Sequence, residues 1–374
     1  MASSSRGRWK TRSLWSRLGP AGGRTEPRPK EAVHGNSERG SALLTVLWLS
    51  VALFAIAFTL AHMVRAEIDR VSTDADSFRA RYLAMGGIER AILWEEWTAS
   101  GAVAPGTGKP FYVEPQERFH YQFPSGEADV EMIPESSRLD INHATVEDLA
   151  AVMLAAGAAR DQAAGIAQAI VDWRSGGPGT ISGFDRFYMS LQPSFRSPHT
   201  SFQEIEEVAM VRGMTPELFY GGYRQGPEGQ LLPYGGVREC LSTYGTINQF
   251  DVNSVSPILL SAIGVPPGAV SAIMHMRSIA PIKSMGQISG LLRGPAAGRL
   301  TTDNGMVWTA RATARLRFAD GRYSEVKRTV SAEVRFFKKG DTTPDRILRW
   351  YDESPPAPSS RPVSAEFGPP GLLQ

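Results

Sequence analysis

The stretch Arg39-Gly40-Ser41-Ala42-Leu43-Leu44-Thr45 opens an apolar run on which the reading of the chain turns. Residues 41–64 are 24 consecutive positions without Asp, Glu, Lys or Arg. At about 1.5 Å per residue, roughly 20 apolar residues cross a bilayer core, so the run is long enough to span. Upstream, residues 1–40 hold nine Lys/Arg against three Glu, a net +6 in a chain whose formal net charge is +2. A basic flank before a membrane helix stays cytoplasmic, which predicts a single pass with the bulk of the chain exported. The leader carries no folded motif that would support nucleic-acid binding. As a secretory signal the run is about twice the usual apolar length and lacks a small-x-small cleavage site behind it. The small residues lie ahead of it, at Gly40-Ser41-Ala42, where a cut removes the leader and keeps the helix.

The 374 residues, 42% hydrophobic and 21% charged, suit one large or two to three small domains. Cys240 is the single cysteine, so no intrachain disulfide forms and an exported domain must rest on its core. With no activating base nearby, Cys240 reads as a small buried side chain rather than a catalytic thiol.

Outward from the anchor, residues 1–40 are rich in Arg, Ser, Gly and Pro and are expected to be disordered. Beyond residue 64 the helix continues as an amphipathic one. Ile68, Val71, Ala75, Phe78, Tyr82 and Met85 alternate at spacings of three and four, on one face. Gly86-Gly87 is a candidate kink, with residues 88–97 resuming the helix. Two heptads are too few to argue a coiled coil. After a Gly/Pro loop at 101–110 the period changes to two. Phe119, Tyr121 and Phe123, a Pro124-Ser125-Gly126 turn, then Val130 and Met132 predict a β-hairpin. The C-terminal part alternates again over 307–312 and 322–337, with Ala319-Asp320-Gly321 as the turn and 347–350 as a third strand. Residues 354–374 are Pro/Ser-rich and predict a disordered tail.

Between these β segments a pattern occurs twice, about 110 residues apart. Leu139-Asp140-Ile141-Asn142-His143-Ala144-Thr145 precedes Leu149, Val152 and Met153. Phe250-Asp251-Val252-Asn253-Ser254-Val255-Ser256 precedes Leu259, Leu260 and Ile263. Thr145 and Ser256 are N-cap residues, and Pro257 suits the first helical position. Each copy passes a glycine turn, at Gly157 and Gly264, into a second helix over 162–173 and 269–277. Residues 201–211 predict a short amphipathic helix, Thr215-Pro216-Glu217 caps another, and 221–236 reads as a loop.

A helix–Gly–helix unit can offer backbone N–H groups to DNA phosphates, but such binding needs surrounding cations. Residues 139–175 carry a net −3 instead. Asp140 with Asn142, and Asp251 with Asn253, supply too few oxygens for Ca²⁺ and lack EF-hand spacing. They read as caps that bond the local backbone. No Cys/His metal spacing, GxSxG elbow or phosphate-binding loop follows a strand; Gly176-Gly177-Pro178-Gly179 lies after a helix and reads as a loop. The sequence gives no positive reason to expect an enzyme.

Gly40-Ser41-Ala42-Leu43-Leu44-Thr45-Val46-Leu47-Trp48-Leu49 resembles the type IV pilin-like signal that prepilin peptidase cuts and methylates. Four further stretches make the chain similar to the general secretion pathway protein K family, the large minor pseudopilin of type II secretion. They are the hairpin ending in Leu139-Asp140-Ile141-Asn142, residues 201–218, residues 246–256, and the closing β-hairpin, in the expected order over roughly 40–350. The resemblance implies cleavage between Gly40 and Ser41 and N-methylation of Ser41. It implies an α+β fold: a long pilin-like N-terminal helix packed on a small antiparallel sheet, with a large α-helical insertion domain of helix-hairpin-helix, SAM-like type. The expected division is leader 1–40, cleaved; transmembrane and amphipathic helix 41–97; first β part 98–138; helical insertion 139–300; closing strands 301–353; tail 354–374.

Counting from Ser41, the fifth residue is Thr45, where major pilins carry a Glu that pairs with the N-terminal ammonium of the subunit above. A lone carboxylate in the bilayer costs about 2.5–3.5 kcal/mol, whereas threonine leaves no charge to neutralise. Thr45 thus suits a tip subunit. The implied function is to cap the pseudopilus tip and promote its assembly for protein export. The implied partners are other minor and major pseudopilins, prepilin peptidase and the inner-membrane assembly platform, with no nucleic acid. The implied location is the bacterial inner membrane, single-pass, with the bulk periplasmic. Calcium occurs in the family, but no ligands are placed here and no cofactor is expected. The leader is longer than is usual for the family. The alternative is a membrane-tethered helix-hairpin-helix DNA receptor of the competence type, which the acidic first unit opposes.

Overall fold

The computed structural model describes residues 38–100, 118–175, 181–226, 229–292, 294–337 and 345–354. The expected disorder of the leader before 38 and of the tail after 354 lies outside these residues, as do the loops expected at 101–110 and 176–179. In chain order the elements are α1 (Glu38–Ser100), β1 (Arg118–Phe123), β2 (Gly126–Pro134), β3 (Leu139–Asp140), α2 (Val146–Ala155), α3 (Arg160–Arg174), α4 (Gly183–Met189) and α5 (Pro216–Tyr220). They continue with β4 (Gly221–Gln225), β5 (Leu231–Gly235), β6 (Leu241–Ser242), β7 (Phe250–Asp251), α6 (Pro257–Ala262), α7 (Pro267–Ile279), β8 (Leu300–Thr301), β9 (Val307–Arg317), β10 (Tyr323–Phe336) and β11 (Asp345–Tyr351). The chain divides into two compact units, 1–68 and 69–374.

In the first unit the described residues are all helical. From Ala42 onward they are exposed, and the helix is long and apolar enough to cross a membrane. Its hydroxyls turn inward along the helix: Thr45 donates to the Ala42 carbonyl at 2.9 Å, Ser50 to Val46 at 2.8 Å and Thr59 to Ala55 at 2.7 Å. That is how a hydroxyl is kept satisfied in lipid.

In the second unit an antiparallel sheet runs in the order β1-β2-β9-β10-β11. Its alternating inner face packs against α1 in one core. Small residues line the crossing of helix and strands in that core, among larger ones such as Ile88, Phe119 and Trp308. Ala80, Ala84, Gly87 and Ala91 on the helix, and Ala128, Ala310, Ala312, Ala314 and Ala332 on the strands, are all buried. The glycine pair is therefore a seat and not a kink: α1 runs through it unbroken. A Cβ on Gly87 would lie 3.0 Å from Val130 and 3.1 Å from Ala128, so the helix rests on the sheet where a side chain has no room.

The sheet's other face is a ladder of polar and charged pairs. Arg118 pairs with Glu131 at 2.6 Å, His120 with Asp129 at 2.7 Å and Arg315 with Glu127 at 2.6 Å.

Residues between β2 and β9 form a second core with no member in common with the first. Two short parallel pairs, β3 with β6 and β7 with β8, tie off its two repeats. The stretch read as a loop over 221–236 is an antiparallel hairpin, β4 with β5, because Tyr223 pairs across to Pro233 and Arg224 to Leu232. The helix expected over 201–211 is shorter and tighter. Only Ile205–Met210 is helical, as a 3-10 turn, because the Glu207 carboxylate bonds back to the Gln203 and Glu204 N–H groups and fixes its start.

Gly87→Val is expected to cost about 2 kcal/mol by wedging helix from sheet. Gly86→Ala, whose nearest neighbour would be Phe123 at 4.0 Å, should be neutral or stabilising. Urea denaturation of the two variants checks the difference.

Candidate assembly helix and its paired helical repeats

Gly40 and Ser41 lie in the first turn of α1, with Thr45 one turn further on. The apolar stripe read along the helix does not meet the sheet. Val71, Phe78 and Tyr82 are 58%, 60% and 69% exposed, and Ala75 is exposed with them. Only Met85, at the end of the stripe, turns in against the sheet core. One side of α1 is thus committed to the alanine-lined sheet, while a row of larger apolar side chains lies uncovered.

The two repeats correspond bond for bond. Asp140 accepts from the Asn142 N–H at 2.8 Å, and Asp251 from the Asn253 N–H at 3.3 Å. The Asn142 amide clamps Phe202 from both sides, donating to its carbonyl at 3.1 Å and accepting from its N–H at 2.8 Å. Asn253 does the same to Ile282, at 3.1 and 2.7 Å. Arg174, at the end of α3, donates to the carbonyls of Ile141 and Ala144. Arg277, at the end of α7, donates to those of Val252 and Val255, at 3.2 and 2.7 Å. Thr145 and Ser256 cap α2 and α6, accepting from Asp148 and Leu259 at 3.1 Å each. Gly157 at φ 101° and Gly264 at φ 91° make the turns, in the left-handed region that glycine enters without penalty. The helices α2 and α6 then pack on each other.

These turns are poor phosphate cradles. The second helix of the second repeat starts at Pro266-Pro267, which have no N–H to donate. In the first repeat Asp161 stands in the first turn of α3. The two Asp-x-Asn motifs spend their oxygens on the backbone, and among the described residues no three His, Cys, Asp or Glu converge on one metal position.

One grouping that the sequence did not reveal looks catalytic at first sight. Asp185, Ser197 and His199 meet inside the longer first repeat. The Ser197 hydroxyl donates to Asp185 at 2.6 Å, and His199 Nε2 lies 2.8 Å from the other Asp185 oxygen. His199 Nδ1 faces two acceptors, the carbonyls of Ser175 at 2.8 Å and Asp172 at 3.2 Å. Both ring nitrogens therefore donate, and the imidazole is a buried cation beside a buried carboxylate. The serine proton is committed to Asp185, so Ser197 is not an activated nucleophile. The Asp185 bond raises the His199 pKa, against burial, with help from both carbonyls. Burial opposes ionisation of Asp185, but the bonds from Ser197, His199 and Ser182 hold its carboxyl below the usual range. No short-range pattern announces this grouping, because Asp185 stands 12 and 14 residues ahead of its partners Ser197 and His199. Cys240 is buried, and burial pushes its thiol up to about 12, far from any reactive thiolate.

Residues 130–220 match the family model described as type II secretion system (T2SS), protein K. That segment, about a quarter of the chain, is similar to the protein K family. The segment matched by the protein K family runs from β2 to the end of α5 and holds the first repeat with its Asp185–His199 insert. In shape, the chain resembles a chain of the GspK-GspI-GspJ complex from the enterotoxigenic Escherichia coli type 2 secretion system, whose crystal structure is solved. The TM-score is 0.51 at 12% identity, covering 75% of this chain and 98% of that one. The likeness is one of fold: a mixed α+β architecture with a long N-terminal helix and an antiparallel sheet. No curated protein matches in sequence.

The His199–Asp185 pair stabilises fully below about pH 6.5 and above about pH 4, the ordinary values of the two groups. It fades as pH rises through the raised histidine value. Replacing His199 by Gln is expected to cost about 3 kcal/mol near pH 6, with the gap to wild type narrowing in alkali. Denaturant titrations across pH check this.

Proposed function

We propose that the chain is a minor pseudopilin of a type II secretion system. It is anchored in the inner membrane by α1 with its bulk in the periplasm, and it caps the pseudopilus tip to promote assembly for protein export. Its role is structural and not catalytic. The observation that carries this reading is the exposed Val71-Ala75-Phe78-Tyr82 row on a helix whose opposite side is packed on the sheet from Ala80 onward. An uncovered apolar row continuous in sequence with a membrane span suits docking against the N-terminal helices of other pseudopilins. The match of residues 130–220 to the protein K family model supports the secretion role, and the fold likeness to a chain of the GspK-GspI-GspJ complex supports such partners. Thr45 supports the tip position, since no buried carboxylate there waits for a subunit above. Prepilin peptidase would cut between Gly40 and Ser41 and methylate Ser41, and the assembly platform and major pseudopilins would follow as partners.

Coexpression with prepilin peptidase and the other minor pseudopilins tests the reading. Mass spectrometry is expected to find an N-methylated Ser41 at the mature N-terminus. An intact leader, or a cut after Ala61, would sink the proposal. The double variant Val71→Asp with Phe78→Asp should still be processed and inserted but lose co-purification with its partners by an order of magnitude or more. Unchanged co-purification would show that the stripe is not the interface.

A further inference from the structure

The two cores of the second unit meet across a polar seam enclosing a cavity of about 440 Å³. The edge strand β11 crosses that seam. Near one end, Arg349 holds Glu204 of the helical body at 2.9 Å and also donates to the Gln203 carbonyl. Beside it the Tyr351 hydroxyl lies between two carboxylates, 2.9 Å from Glu204 and 3.3 Å from Glu333 on β10.

A tyrosine has one proton to give. The shorter bond to Glu204 takes it, so Glu333 reaches the Tyr351 oxygen well only by donating a proton of its own. The arginines around the cavity are committed elsewhere: Arg138 to Glu135 at 2.7 Å, Arg238 to Glu206 at 2.6 Å, Arg311 towards Glu131 at 3.9 Å. Glu333 is the carboxyl left over, and its second oxygen is buried without a hydrogen-bond partner. It also stands at the bulge where the β10–β11 register shifts.

The other end of β11 repeats the arrangement. Glu96 of α1 hydrogen-bonds Asp345, with Glu89 close by. Two carboxyl groups bond each other only when one carries a proton. Just past the strand, Arg81 of α1 pairs with Asp352 and does not relieve this.

We propose that β11 is a proton-operated clasp between the sheet and the helical body, closed while Glu333 and the Glu96–Asp345 pair each hold a proton and loosened when they lose it. Burial, then the charge of Glu135, push the Glu333 carboxyl up to about 7, against the charge of Arg349. Burial, then Asp345 and Glu89, raise Glu96 to about 7 as well. Carboxyls raised in the fold stabilise it least above the raised value, and the penalty is relieved as pH falls from there towards the free value of about 4.3. The clasp is thus tight in mild acid and loose in mild alkali. The inference rests on the seam alone and is independent of the assembly reading.

Amide hydrogen exchange of residues 345–351 in the full chain in detergent, corrected for intrinsic rates, tests it at about pH 6 and about pH 8. Wild-type protection is expected to fall at least about threefold between the two. Glu333→Gln, whose amide donates permanently to Tyr351, should stay protected at both. His199→Gln should keep the wild-type drop, separating the clasp from the other titrating pair. Tyr351→Phe should be unprotected at both values, and supplies the comparison should the Glu333→Gln chain fail to fold. A flat wild-type profile, a Glu333→Gln drop equal to wild type, or a Tyr351→Phe profile that still follows pH would overturn the proposal.

Discussion

The contact of α1 with the alanine-lined sheet sets the terms for the rest of the structure. Small residues on both surfaces let helix and strand backbones approach closely where they cross, with larger ones such as Ile88, Met132 and Trp308 filling the space around them. Gly87 marks the limit, because even a Cβ there meets Val130 and Ala128 at 3.0 and 3.1 Å. From Ala80 onward one side of α1 is taken by the sheet, and Phe78 and Tyr82 lie off that side. Val71 precedes the contact, where α1 is exposed all round.

The helical body follows a different logic, in which polar groups define geometry and apolar groups fill it. In each repeat an Asp bends the chain, an Asn clamps a returning extended segment, and an Arg at the end of the second helix ties two carbonyls of the opening turn. Each bond satisfies a backbone group that would otherwise be buried unpaired, where the cost exceeds what the bond itself contributes. The repeats differ in length, not in logic. Asn142 reaches 60 residues ahead to Phe202, whereas Asn253 reaches 29 ahead to Ile282. The extra segment in the first repeat contains α4 and the Asp185–His199 pair. There Trp173 stacks on Phe202 and meets Tyr188 edge-on, so the inserted segment has its own aromatic and ionic anchors.

This difference explains what could be read from the sequence. The membrane run, the hairpins and the two Asp-x-Asn copies were legible because they depend on spacing within a dozen residues. The helices after Thr145 and Ser256 were legible because capping and glycine turns are local chemistry. The full repeat was not, because its second half is displaced by an insert and shares no residue types beyond a capping Glu or Gln. The amphipathic stripe was legible as a stripe, but periodicity says only that a face exists, not which face the sheet will choose. The small residues that do pack carry a weak hydropathy signal, and Gly86-Gly87 looked like a break. The β4–β5 hairpin was missed because glycines at its ends and Pro233 within it hide the period of two. The roles proposed for Gly40, Ser41 and Thr45 rest on the sequence motif alone, and the fold adds only that these residues begin a helix.

The seam between the two cores completes the physical picture. The cores share no residue, and the groups between them are mostly charged. Burying a charged pair gains little net free energy, because desolvation nearly cancels the attraction. Each body must therefore be stable through its own interior, and the seam adds little to either. A directional bond such as Arg349 to Glu204 constrains an angle more than it lowers a free energy. Deleting one member leaves the other charge unpaired and frees the strand that carried it. The seam residues thus govern how the helical body is held on the sheet, and they can do so without changing how stably either part folds.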